Sequence, residues 1–131
     1  MTSSLPARRA VVLAVALAAA CSDSTAPTPV RAAGVYTLES VTGRGPTSGS
    51  FTLTADGRAE RRVRYATIPN EVVYIGSFQL DGAKIAFNLL PGSMPADFVW
   101  PVSGQWLGSE FTITYPDAAD GPNIVERYRR L

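Results

Sequence analysis

Apolar and polar side chains alternate with a period of two from residue 34 onward, and turn-forming residues interrupt the pattern every eight to twelve residues. Residues 35–42, 59–67 and 71–80 show the alternation most fully. A period of two is typical of half-buried β-strands, whereas no stretch shows the 3.6-residue period of an amphipathic helix. The pattern therefore predicts a succession of short strands.

Turn residues mark the ends of these strands. Asp56-Gly57 and Asp81-Gly82 each stand between two alternating segments, which is typical of a tight β-hairpin. Residues 68–70 are also predicted to turn the chain. Further strands are expected at 51–54, 85–89, 98–102, 111–115 and 124–130. Seven to eight antiparallel strands in succession predict an all-β domain, a small up-and-down β-barrel whose closure removes unpaired edges.

The composition fits one small folded domain preceded by a segment of another kind. Of the 131 residues, 46% are hydrophobic and 18% are charged, which is typical of a globular protein. We assign residues 33–131 to the β-barrel domain. The net charge is +1, and without Arg8 and Arg9 ten basic residues stand against eleven acidic ones, a balance of −1. A nearly neutral chain does not favour nucleic acid as a partner.

Two residue types that support much enzyme chemistry are absent or nearly so. The sequence has no histidine and a single cysteine, Cys21. It therefore lacks the usual general base, the usual zinc ligand and any intrachain disulfide. The loop at 116–123 carries acidic side chains without the ligand spacing of a calcium loop. We predict a protein that is not an enzyme and has no catalytic residues, cofactor or metal.

Residues 1–20 have the layout of an export signal. Arg8 and Arg9 precede an apolar run from residue 10 to residue 20, too short to span a bilayer as a helix. The end of this run, Leu17-Ala18-Ala19-Ala20-Cys21, resembles a bacterial lipobox, which implies cleavage before Cys21 and attachment of lipid to that residue. The alternative is ordinary signal cleavage after Ala18-Ala19-Ala20, which would leave Cys21 as a free thiol.

The residues after Cys21 are typical of a flexible tether. Residues 22–29 contain two prolines and no bulky apolar side chain, and we assign 21–32 to a lipid-anchored linker. The expected partner is then a membrane, reached through the N-terminal lipid. Ser22, where some inner-membrane lipoproteins have an aspartate, favours the outer membrane, with the domain facing the periplasm or the cell surface.

Several features of the domain resemble the small lipocalin-like domains of bacterial lipoproteins. Gly34-Val35-Tyr36 opens the first strand, Asp-Gly dyads connect later strands, and the last strand is basic. In lipocalins a Gly-x-Trp motif opens the first strand, and an arginine near the C terminus packs over that ring. The resemblance implies that Tyr36 replaces the tryptophan and that Arg127 or Arg129 packs over it. The first and last strands would then be neighbours.

An eight-stranded barrel is wide enough to be filled by side chains or to hold one small ligand. Arg61 and Tyr65 are an even number of positions apart in one predicted strand, so both side chains are expected to point toward the interior. It is either an anchor for an acidic head group or an arginine that reaches solvent or pairs with a carboxylate. Tyr74 and Trp100 complete the candidate ligand-binding residues.

Gly76 and Gly104 lie within predicted strands, where a glycine either opens interior space or marks a bulge or bend. Two functions follow from these alternatives. The first is a cell-envelope lipoprotein whose small barrel binds a small apolar ligand or lipid, which an interior cavity would favour. The second is a non-catalytic structural or protein-interaction module with a filled barrel, which an exposed apolar patch would favour.

Overall fold

The computed structural model describes residues 29–92 and 99–131. The predicted export signal, the proposed lipid attachment at Cys21, most of the predicted tether and Phe98 lie outside the described residues. A short helix, α1 (Pro29–Ala32), precedes the strands. The strands are β1 (Gly34–Thr42), β2 (Ser48–Leu53), β3 (Arg58–Tyr65), β4 (Ile68–Asp81), β5 (Lys84–Pro91), β6 (Trp100–Gln105), β7 (Glu110–Tyr115) and β8 (Ile124–Arg130). Among the described residues, no helix has the length and apolar character needed to cross a membrane.

The strands form a closed antiparallel barrel in which each strand pairs with the next along the chain. The barrel closes where β8 pairs with β1, so the predicted up-and-down barrel and the predicted contact between its first and last strands are both confirmed. Gly57 and Gly82 have φ angles of 88° and 61° in the two predicted Asp-Gly hairpins. These positive angles favour glycine, which explains the residue choice at both turns.

The turn predicted at residues 68–70 is wrong. Ile68 already pairs with Tyr65, and β4 begins at Ile68, so Ala66 and Thr67 alone reverse the chain. A two-residue connection is sufficient to join antiparallel strands. Pro69 is accommodated because it lies beside the strand end, where a missing backbone donor matters least.

The barrel interior is filled with aromatic and aliphatic side chains over much of its length. Phe51, Phe111 and Tyr128 lie at its centre, and their ring centroids are 4.8–5.3 Å apart. Further inward residues surround these rings, namely Tyr36, Leu53, Ala59, Phe78, Ile85, Phe87, Leu89, Val102 and Ile113. On β3, β4 and β5 the alternation in sequence therefore predicted correctly which side chains point inward.

One end of the barrel, which we call the closed end, carries α1 and the hairpin at Asp56-Gly57. Ala32 is fully buried there, and its carbonyl oxygen accepts a hydrogen bond of 2.7 Å from the Tyr36 hydroxyl. Ala32 lies within the segment predicted as tether, yet it belongs to the core. The folded unit therefore includes α1.

The arginine that packs over Tyr36 is Arg130, so the expectation of Arg127 or Arg129 is wrong. The Arg130 guanidinium carbon lies 5.2 Å from the centroid of the Tyr36 ring, and Nη2 donates to the Tyr36 hydroxyl at 2.6 Å. Arg130 is directly opposite Tyr36 in the β1–β8 register, and directly opposed side chains share a face. Arg127 and Arg129 differ from it by an odd number of positions, so both point outward.

Gly76 and Gly104 mark close approaches of the backbone and do not open interior space. A Cβ atom at Gly76 would lie 1.8 Å from the Asn88 carbonyl oxygen, and one at Gly104 would lie 1.6 Å from that of Thr112. Neither position can hold a side chain without movement of the neighbouring strand. Glycine here permits the tight curvature of a small barrel.

Candidate ligand-binding site

Arg61 is the centre of the site, and it lies inside the barrel. It stands on β3 between Phe51 of β2 and Tyr74 of β4 in register, so its side chain points inward with theirs. Its exposed fraction is 0%. Nη2 donates to Oε2 of Glu126 at 2.7 Å, and Glu126 is also fully buried. Of the alternatives considered for Arg61, the structure therefore supports the one in which the arginine pairs with a carboxylate.

The Glu126 carboxylate accepts hydrogen bonds from two further side chains. The Tyr128 hydroxyl donates to Oε1, and the Tyr115 hydroxyl donates to Oε2, the oxygen that also receives Arg61. A buried carboxylate is tolerated when its oxygens are hydrogen-bonded and a positive charge is adjacent. The Glu126 carboxylate meets both conditions.

Burial and charge shift the pKa values of these groups. Burial opposes the charge on Arg61, but Glu126, together with Tyr128 and Tyr65, outweighs burial and raises the pKa of the guanidinium. Burial raises the pKa of the Tyr115 and Tyr128 hydroxyls, and the Glu126 carboxylate raises both pKa values further. The tyrosines therefore stay protonated and remain hydrogen-bond donors to Glu126.

Two aromatic rings cover the Arg61 guanidinium. Its central carbon lies 4.8 Å from the centroid of the Tyr74 ring and 5.2 Å from that of the Trp100 ring. Cation–π contacts of this length stabilise a charge that has been removed from water. Tyr65 lines the same recess; burial raises the pKa of its hydroxyl, and the charge of Arg61 acts against that rise.

The same rings line a recess at the end of the barrel opposite α1, which we call the aromatic cup. Its volume is about 430 Å³. Aromatic and apolar side chains dominate its wall, namely Tyr65, Tyr74, Pro91, Trp100, Tyr115 and Ile124. Arg44 and Asp117 lie at the same recess and form an ion pair of 3.2 Å. The cup thus joins an apolar wall to the buried charges below it.

A second recess, of about 360 Å³, follows the outer surface of β5 and β6. Lys84, Asn88 and Ser103 contribute polar side chains to it, and all three are exposed. It shares Trp100 and Tyr115 with the aromatic cup, but its own polar side chains are all exposed, so the cup is the better candidate for specific binding.

The structure brings together all four residues selected from the sequence: Arg61, Tyr65, Tyr74 and Trp100. Sequence reasoning missed Glu126 and Tyr115, which complete the network. The sequence signal for Glu126 was its spacing of two residues from both Ile124 and Tyr128 on the last strand. Alternation places all three on the inward face, where a carboxylate needs a cation as its partner.

The arrangement suits binding. Glu126 is held by three donors, and no cluster of three metal-binding side chains occurs in residues 29–92 and 99–131. The sequence matches no protein-family model and no curated protein. We therefore infer the function from the geometry of the cup.

Proposed function

We propose that this protein is a non-catalytic binding module of the cell envelope that holds a small apolar ligand or lipid in the aromatic cup. The observation that carries the proposal is the cup itself, an aromatic recess directly above a fully buried arginine. Small-molecule sites combine a largely apolar wall with a few polar groups that orient the ligand. The cup has both components.

The packing of the barrel favours the cup as the place for the ligand. The rings of Phe51, Phe111 and Tyr128 occupy the centre of the barrel, in contact with one another. The cup volume of about 430 Å³ falls within the range of roughly 300–1,000 Å³ that is common for ligand sites. A compact ligand fits this volume better than a long lipid chain inserted along the axis.

The second candidate function is a structural or protein-interaction module. The filled aromatic core favours it, because such a core stabilises a barrel without any ligand. Exposed apolar side chains on the described surface, including Ile75 and Leu107, give a partner protein some contact area. Ligand binding at the cup distinguishes the two candidates.

The envelope location rests on the sequence around Cys21, which we propose carries lipid. Chain order supports an orientation for the anchored protein. The described chain enters at α1, at the closed end, whereas the cup lies at the opposite end. A lipid on Cys21 would then leave the cup facing away from the membrane.

A blocking variant tests binding at the cup. Ala118 is an exposed residue of the cup wall, so Ala118→Trp fills the recess without disturbing the core. The uncharged fluorophore N-phenyl-1-naphthylamine serves as the probe. We expect it to bind the parent protein and to bind Ala118→Trp at least about tenfold more weakly. Ala119→Trp is the matched control, because Ala119 is exposed but outside the cup wall. Equal binding by all three proteins, or by none, would reject the cup as the site.

Metabolic labelling tests the anchor. Cells that express the protein and are fed a labelled fatty acid should incorporate label into the parent chain but not into Cys21→Ser. The parent chain should also partition into detergent. Absence of label from both chains, or equal partition of both, would contradict lipid attachment at Cys21.

A further inference from the structure

Arg61 has hydrogen-bond donors that the described protein leaves unused. Nη2 contacts Glu126, but Nε and Nη1 are buried and have no acceptor within residues 29–92 and 99–131. Arginine carries five N–H donors and no acceptor, so these nitrogens can only be satisfied by an oxygen or another acceptor. Buried donors without partners are uncommon in folded proteins because they lose their hydration and receive nothing in return.

The neighbouring groups do not serve these nitrogens. The carboxylate of Glu126 already receives Arg61 Nη2, Tyr115 and Tyr128. The rings of Tyr74 and Trp100 cover the guanidinium, but a ring face does not replace an oxygen acceptor. Both carboxylate oxygens of Glu126 are therefore hydrogen-bonded, whereas two nitrogens of Arg61 are not.

The unused donors lie directly below the cup. Tyr74 and Trp100 both contact the guanidinium and both line the cup, so the side chains of these two residues separate the arginine from the recess. Both are half-buried, unlike the rings of the core. For a ligand in the cup to reach Arg61, one of these two rings would have to rotate aside.

We infer that the ligand of the cup is uncharged, with an apolar body and a carbonyl-type oxygen that accepts a hydrogen bond from Nε or Nη1 of Arg61. This inference rests on the proposed function and specifies its ligand. The charge of Arg61 is already balanced by Glu126, at 2.7 Å. An anionic ligand would place a second negative charge beside that carboxylate in a site of low polarity, which is unfavourable. A neutral carbonyl satisfies the donors and leaves the charge balance unchanged.

Three probes of equal chain length test the inference: 2-octanone, octanoate and 1-octene. The full chain with Cys21→Ser, labelled with nitrogen-15, is titrated with each probe at neutral pH. The Arg61 Nε–H resonance reports the hydrogen bond, and the Trp100 indole resonance reports occupancy of the cup. We expect 2-octanone to bind at least about tenfold more tightly than the other two probes and to shift the Arg61 resonance.

The matched variant is Arg61→Lys, which keeps the positive charge and removes Nε and Nη1. We expect it to lose the preference for 2-octanone over 1-octene. If this variant does not fold, the comparison of the three probes on the protein with Arg61 intact still tests the inference.

Octanoate binding as tightly as 2-octanone would overturn the uncharged ligand class. Equal binding of all three probes with an unmoved Arg61 resonance would overturn the role of Arg61 and leave the cup as a binding site. No binding of any probe would count against both the proposed function and this inference.

Discussion

Arg61 and Glu126 form a fully buried ion pair, with Nη2 2.7 Å from Oε2, although 65 positions separate them in sequence. β1 and β2 lie between their strands in the barrel order, so the pair connects walls that are not hydrogen-bonded to each other. The interaction crosses the interior immediately below the cup. It therefore contributes to both the stability of the barrel and the chemistry of the site.

Breaking this pair should destabilise the protein strongly. Arg61→Met leaves the Glu126 carboxylate buried without its cation, and Glu126→Leu leaves the guanidinium without its anion. We expect each to lower the free energy of unfolding by about 3–5 kcal/mol, measured by urea denaturation. The double variant removes both charges and should recover part of that loss. Simple addition of the two single losses would contradict the pairing.

The exposed pair of Arg62 and Glu71 on the outer face is the control for that experiment. Its N–O distance is 3.0 Å, close to that of the buried pair, but 48% of the Arg62 side chain is exposed. Water screens such pairs, so Arg62→Met, which also breaks the contact with Glu60, should lower the free energy of unfolding far less than either buried variant. The contrast isolates the effect of burial from that of geometry.

The contact between Tyr36 and Arg130 should matter for closure of the barrel. Tyr36→Ala removes a fully buried ring and should lower the free energy of unfolding by about 3 kcal/mol or more. Tyr36→Phe removes only the hydroxyl that links Ala32 and Arg130, so a loss of about 1 kcal/mol is expected. Glu39→Ala on the outer face of the same strand should cost about 0.5 kcal/mol or less. Similar losses for Tyr36→Ala and Glu39→Ala would argue against this role of Tyr36.

Alanine at Gly104 or Gly76 should be poorly tolerated. The added methyl group would lie within 1.8 Å of a carbonyl oxygen on the neighbouring strand at both positions. We expect losses of about 3 kcal/mol or more, or failure to fold, because backbone must move. Gly92→Ala is the control, since its Cβ would have its nearest neighbour at 3.7 Å. Circular dichroism and thermal melting of the three variants make the comparison, and a stable Gly104→Ala protein would exclude the close approach.

Alkaline titration should separate the tyrosines of the site from ordinary ones. The pKa values of Tyr65, Tyr115 and Tyr128 are raised above 10.0, with burial the first cause in each. Above pH 10 the folded chain therefore holds more protons than the unfolded chain, and stability, complete below that pH, falls as pH rises. Absorbance at 295 nm should show these three tyrosines still un-ionised in the folded protein at a pH where tyrosines of the unfolded chain have ionised. In concentrated guanidinium chloride all five tyrosines of the sequence should titrate together near 10. A single transition near 10 in the folded protein would contradict the burial of these hydroxyls.

Residues 29–32 should add to the stability of the barrel. A chain that begins at Pro29 keeps the Ala32 carbonyl that accepts the Tyr36 hydroxyl, whereas a chain that begins at Ala33 loses it together with a buried methyl group. We expect both chains to show a β-type circular dichroism spectrum. The shorter chain should be less stable by about 1–3 kcal/mol in urea denaturation. Equal stability of the two chains would show that α1 is dispensable.

Much of the architecture could be predicted from sequence because it depends on local properties. The period of two assigns each side chain to the inner or outer face, and Asp-Gly dyads give the hairpins at Gly57 and Gly82. The error at residues 68–70 arose because proline and asparagine are common in turns, whereas pairing of Tyr65 with Ile68 placed the actual turn earlier.

The candidate site was predicted in part, and the residues that were missed also follow the alternation of inward and outward side chains. Arg61, Tyr65, Tyr74 and Trp100 were identified because their inward phase can be read along each strand. Glu126 was missed because the last strand was interpreted from its basic character and not from its alternation. Every second side chain of β8 points inward, and Glu126 and Arg130 both belong to that set. For this reason Arg130, and not Arg127 or Arg129, is the neighbour of Tyr36.

The sequence by itself determined the strand succession and most of the inward and outward faces, since alternation and turn chemistry act between residues close in the chain. Only the tertiary structure decided which inward residues meet across the interior. The pairing of Arg61 with Glu126 and the approach of Gly104 to the Thr112 carbonyl depend on strand register, tilt and curvature. Those quantities are set by packing of the whole barrel, and a pattern within one strand does not encode them.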